Sequence, residues 1–174
     1  MKLLITWLLI WPFGLAWAQV APAPELSVKA VFMYNFTRFI DWPEEAFAGP
    51  SSPFIIGIVG EDRMGAVLLE TVAGEKVGNH PIRVQPVQSA AELKECHLLY
   101  INVTDFKQLT QTLALIGQRP VLTVGEAPTF TRQGGMIRFL TRNNKIRLEI
   151  SPGALRAAQL GISSKLLQVA DIVK

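Results

Sequence analysis

The chain has 174 residues, 49% of them apolar and 18% charged, with a net charge of +3 at neutral pH. That length supplies one hydrophobic core, since a single core serves roughly 100 to 200 residues, and the balance excludes an intrinsically disordered chain. The basic residues are scattered and form no stripe, which excludes the electrostatic footprint of a nucleic-acid binder, and Cys96 is the single cysteine, so no internal disulfide can form.

The amino terminus is read as an export signal. Met1-Lys2 supplies a positive start, residues 3–11 an apolar run, and Ala16-Trp17-Ala18 a small-residue cleavage pattern. Pro12 and Gly14 interrupt the run, which falls short of the ~20 residues of a membrane-spanning helix. Residues 1–18 are therefore expected to be a cleaved signal peptide and residues 19–25 a flexible leader. The domain then runs over residues 26–174, and loss of Lys2 lowers its net charge by one.

Within the domain, residues 26–42 contain neither glycine nor proline, and Val28, Phe32, Phe36, Phe39 and Ile40 recur at helical spacing until Pro43. Lys29 and Arg38 fall off that stripe, and Met33 and Tyr34 add apolar area beside it. Strand and helix signals then alternate. Strands are expected at 54–59, 81–87, 97–103 and 120–124, with Ile82, Val84 and Val87 turned inward in the second. Helices are expected at 62–72, from Ser89 through a capping box with Glu92, and at 105–116 up to Gly117. Residues 134–140 and 145–150 alternate as a hairpin around Asn143-Asn144. Ser151-Pro152 opens a helix that Gly161 is expected to end, and Ser163 or Ser164 caps a last one, packed through Leu166, Leu167, Ala170 and Val173. The order implies a three-layer α/β/α sandwich with a mostly parallel central sheet, an N-terminal helix, and a C-terminal antiparallel hairpin plus helices.

No constellation points to catalysis. Gly57, Gly60 and Gly65 have the wrong spacing for a dinucleotide loop, and Glu61-Asp62 would repel phosphate, so this segment reads as a tight turn with an acidic helix start. His80 and His97 lie on different elements, and Cys96 and His97 point to opposite sides of a strand, so neither a metal site nor a Cys–His dyad is expected. Cys96 reads as a buried, inert thiol. Asp41, Glu44 and Glu45 read as solvated surface acids. Polar groups among apolar ones remain: Asn35 and Arg38 on the first helix, and Lys165 after Ser163-Ser164. Arg38 either receives a carboxylate or phosphate, stacks on a ring, or pairs with Asp41.

Several blocks in order resemble the YfiR-like family of periplasmic regulators. The most specific is Lys29-Ala30-Val31-Phe32-Met33-Tyr34-Asn35-Phe36-Thr37-Arg38-Phe39-Ile40-Asp41-Trp42-Pro43. It is followed by Ile55-Ile56-Gly57-Ile58-Val59-Gly60, Cys96-His97-Leu98-Leu99-Tyr100-Ile101, Val121-Leu122-Thr123-Val124, Gly134-Gly135-Met136-Ile137 and Ile162-Ser163-Ser164-Lys165-Leu166-Leu167. The resemblance spans nearly all of residues 27–173. It implies a periplasmic α/β protein, often dimeric, whose best-studied member restrains a membrane-bound diguanylate cyclase by binding its periplasmic region, and so affects cyclic-di-GMP signalling and biofilm formation. That member is controlled through internal disulfides, a route closed to a chain whose one thiol is Cys96.

The expectation is a non-enzymatic repressor without cofactor or metal, working through an apolar patch on the first helix, the last helix or both. Met33, Asn35, Phe36, Arg38, Phe39, Ser164 and Lys165 are the candidate contacts for the periplasmic region of a diguanylate cyclase or sensor kinase, or for a second copy. The alternative is a sensor or carrier of a small anionic or aromatic ligand, held by Arg38 and Lys165, that feeds a membrane sensor kinase.

Overall fold

The computed structural model describes residues 24–60 and 63–173. The expected signal peptide and the Glu61-Asp62 helix start lie outside them. The chain opens with α1 (Pro24–Phe39) and a two-residue strand β1 (Ile40–Asp41), followed by β2 (Phe54–Val59), α2 (Met64–Thr71), β3 (Lys76–Val77) and β4 (His80–Pro86). Next come α3 (Ala90–Glu95), β5 (Leu98–Ile101), α4 (Phe106–Ile116), β6 (Leu122–Gly125), β7 (Ile137–Arg142) and β8 (Lys145–Ile150). The chain closes with α5 (Pro152–Ala157), β9 (Gly161–Ile162), α6 (Ser164–Leu167) and β10 (Asp171–Ile172).

The main sheet has the order β10-β8-β7-β6-β5-β2-β4-β3, and β1 pairs separately with β9. Strands β4, β2, β5, β6 and β7 run parallel, whereas β7–β8 and β3–β4 are antiparallel. Because β2 lies between β4 and β5, the winding reverses there, as in doubly wound folds in which the first strand sits between the second and third. The expected three-layer sandwich is thus present. The small strands β1, β3, β9 and β10 carry no periodic signal and were not expected.

Alternation along the strands builds two cores. Phe54, Ile56, Leu98, Tyr100, Leu122 and Val124 face α1, α2, α5 and α6, while Leu99, Ile101 and Val121 face α3 and α4. At β2, a side chain on Gly57 would lie 2.6 Å from the Cys96 sulfur and 2.7 Å from Leu99, so only glycine lets α3 close on the sheet. The local signals act as expected at several ends. Ser89 and Glu92 form a complete capping box, Asp105 caps α4, Ser151 caps α5 ahead of Pro152, and Ser163 caps α6. Asn143 and Asn144 take left-handed φ values of 52° and 57° in the hairpin turn.

Three readings are corrected. The core face of α1 is Ala30, Met33 and Phe36, continued by Ile40 of β1, while Val28 is 44% exposed, because apolar residues are spread round the helix among polar ones and its packing was set by the sheet beneath it. Lys29, read as lying off the stripe, is only 5% exposed. Gly161 does not end α5: that helix stops at Ala157, Gln159 takes the left-handed turn at φ 58°, and Gly161 belongs to β9. A side chain on Gly161 would meet Asp41 at 3.1 Å, so glycine is what lets β9 close on β1.

Candidate functional site

The carboxyl ends of β2 and β5, where the winding reverses, are the usual ligand crevice of such sheets. Here Gly60 takes the left-handed turn at φ 95° and the Asn102 carbonyl lies where its side chain would be, so the turn is closed by backbone. Cys96 is buried; burial first, then Glu95 and Glu92, pushes its thiol up to about 12, and the sulfur bonds the Glu92 carbonyl at 3.2 Å. Such a thiol is a poor nucleophile. Asp41, Glu44 and Glu45 are exposed.

The surface that gathers candidate residues lies between α1 and α6. Pairing of Ile40 with Ile162 and of Asp41 with Gly161, together with the Ser163 N–H bond to the Phe39 carbonyl at 2.8 Å, ties the end of α1 to the start of α6. The two helices thereby flank an apolar groove of about 190 Å³ lined by Phe32, Asn35, Phe36, Phe39, Lys165, Leu166 and Val169. Its floor is aromatic: Phe36 stacks on Phe139 of β7 at 6.0 Å and 22°, and Phe32 meets the same ring at 6.1 Å. Its rim is open, with Val169 63% exposed and Lys165 exposed, and Val28 and Val31 continue the apolar surface along α1 at 44% and 48%.

Of the seven candidate contacts, four line this groove: Asn35, Phe36, Phe39 and Lys165. Met33 is fully buried in the core beneath α1 and presents no surface. Phe36 is also fully buried and contributes only the floor. Ser164 is exposed beside the groove. Arg38 is exposed and turned to Tyr34, donating to its hydroxyl at 3.0 Å and lying 5.1 Å over its ring, and Tyr34 in turn donates to Glu75. Arg38 therefore follows the ring-stacking reading rather than the Asp41 pair. Sequence reasoning missed Phe32, Leu166 and Val169 as groove residues; the exposure of Val169 becomes legible only once α6 is known to end at Leu167.

Two further polar features were not foreseen. Lys29 is buried between carboxylates, its Nζ 2.7 Å from both Glu25 and Glu126, while the Tyr100 hydroxyl donates to Glu126 at 2.5 Å. Burial works against the Lys29 charge, but bonds and attraction from Glu126 and Glu25 outweigh it and raise the ammonium above its ordinary value. The two histidines, separate in sequence, stack on opposite faces of Phe47 at 4.0 and 4.7 Å. Among the described residues no group of three or more His, Cys, Asp or Glu side chains is placed to hold a metal ion.

The α/β sandwich thus carries an open-sided apolar groove, and comparison with known families gives its class. The YfiR/HmsC-like family model matches residues 26–171, and the chain belongs to that family. It is a family of periplasmic regulators tied to diguanylate cyclase signalling, not a family of catalysts. No curated protein matches the chain.

Proposed function

We propose that this protein is exported to the periplasm and restrains a membrane-bound diguanylate cyclase by receiving an apolar side chain of its periplasmic region in the α1–α6 groove. The observation that carries the reading is the groove itself: an aromatic floor held by Phe139, a half-buried Phe39, and an exposed rim formed by Val169 and Lys165. Apolar side chains inserted into a preformed, well-packed pocket supply most of the energy of protein–protein contacts. Size favours this over the carrier alternative. A groove of about 190 Å³ is below the roughly 300–1,000 Å³ of small-ligand sites, but it fits one large side chain.

The substitution Val169→Glu tests the reading, because it places a charge on the open rim without touching the core. In the native host it should raise cyclic-di-GMP as far as deletion of the gene does, while the melting temperature of the protein stays within a degree or two of the parent. Full repression by the variant, or unchanged cyclic-di-GMP on deletion, would refute the proposal.

A further inference from the structure

Residues 43–53 form a strap between β1 and β2, at the amino ends of the parallel strands. Its backbone bonds close within itself: Ala46 N–H to Pro43, Phe47 N–H to Glu44 and Ser52 N–H to Gly49, at 3.0–3.1 Å. Two histidines hold it to the sheet. The Ser52 carbonyl lies 2.7 Å from His80 Nδ1, and the Phe47 ring sits between the imidazoles of His80 and His97, at 17° and 29° to them. His97 also stacks on Phe54 at 4.9 Å, which takes the edge of Trp42 at 4.9 Å.

The hydrogen bonds fix where the protons are. A carbonyl only accepts, so His80 Nδ1 carries a hydrogen, and that bond survives when the ring becomes charged. A backbone N–H only donates, and the Ile55 amide donates to His97 Nδ1 at 3.1 Å, so that nitrogen is bare. The charged imidazole carries hydrogen on both nitrogens and accepts from nothing. A proton on His97 Nδ1 is therefore incompatible with the Ile55 bond.

We propose that His97 is an acid-operated latch: proton uptake at Nδ1 breaks the bond from the Ile55 amide and ejects the ring from the aromatic stack, releasing Phe47 while the Ser52–His80 bond serves as the hinge. His97 is 4% exposed, and burial pushes it down to about 4; His80 adds to this, and the Ala46 carbonyl acts the other way. Its Nε2 makes no hydrogen bond of full geometry, and the Ala46 carbonyl is the one backbone acceptor that favours the charged ring, against the burial that opposes it. The charged groups around the latch are exposed. Glu45 on the strap and Lys94 and Glu95 of α3 line the hollow beside His97, and Glu44 lies with His80 beyond Phe47. Solvent screens them, so they neither trap nor replace the proton. Release uncovers Phe47, Phe54 and Trp42, an aromatic surface separate from the α1–α6 groove.

The test is residue-resolved amide exchange on the full chain, expressed as protection relative to the unfolded rate, from pH 7 to pH 4. The Ile55 amide should lose at least about tenfold in protection as pH falls below 6.5, while Leu98–Ile101 stay protected. His97→Asn keeps a side-chain acceptor for Ile55 but cannot titrate, so it should abolish the loss; His80→Asn should leave it. Phe47→Ala should expose the strap at neutral pH and erase the transition. Ile55 protection that persists to pH 4, that vanishes together with β5, or that falls equally in His97→Asn would overturn the proposal. If His97→Asn does not fold, the parent and Phe47→Ala decide it.

Discussion

Lys29 and His97 are sealed from solvent to the same degree, 5% and 4%, yet one is held charged and the other neutral. Lys29 lies at the carboxyl edge of the sheet, where Glu126 follows β6 and Glu25 arrives from α1, so two acceptors meet one ammonium. His97 lies at the amino edge among Phe47, Phe54 and Trp42, where the Ile55 amide is a donor that demands a bare nitrogen. Burial alone favours the neutral form of both. The charge state of a sealed group follows from what its partners can accept or donate.

Removing one side of this comparison should give the largest effect. Lys29→Ala leaves Glu126 and the Tyr100 hydroxyl facing each other without the cation, and we expect a loss of about 3 kcal/mol in denaturant unfolding, the scale for breaking one half of a buried pair. Lys29→Met/Glu126→Gln should lose clearly less, since the double change leaves only Glu25, half exposed to solvent, without its cation. A single variant as stable as the parent would show that the pair does not hold α1.

The neutral partner predicts a pH dependence. The unfolded chain binds the His97 proton near pH 6.5 and the folded chain near 4, so stability is full above about 6.5 and falls as pH drops toward 4. At 1.36 kcal/mol per unit the loss is on the order of 3 kcal/mol. His97→Asn should flatten that slope in urea titrations run between those limits. Glu25, held low by Lys29, adds a further loss only below the ordinary carboxylate range, and the raised Lys29 contribution is present below about pH 10.5 and lost in stronger alkali.

Cys96 sharpens the contrast with the smallest effect, since it is sealed and has no cationic partner. With its thiol near 12, alkylation of the folded protein at pH 8 should run about a thousandfold slower than that of an ordinary thiol, with stability unchanged. Labelling at the free-thiol rate would mean that α3 opens readily.

What could be read from the sequence was local. Ser89 with Glu92, Ser151 with Pro152, and Asn143-Asn144 each act within four residues, so their pattern is their structure. The apolar run of β5 announced a strand buried on both faces, and those of β2 and β6 short strands. The candidate site was legible only in part. Asn35 and Phe39 stand out on an aromatic-rich helix and Lys165 as a polar group after Ser163-Ser164 at a helix start, but Met33 belongs to the core and Val169 to the rim. On a helix whose apolar residues are spread round the axis, periodicity does not say which side the sheet will take.

The sequence by itself determined the order of the main strands and helices, the hairpin turn and most of the helix caps, the parallel sandwich and the family. Tertiary structure alone decided that the β1–β9 pair would draw α1 and α6 into a groove, that Lys29 would be paired with a carboxylate 97 residues away, and that two histidines would clasp one phenylalanine. The reason is physical: backbone propensity and capping energies are spent among near neighbours, whereas the charge of a buried side chain and the shape of a groove depend on groups that only the closed fold brings together.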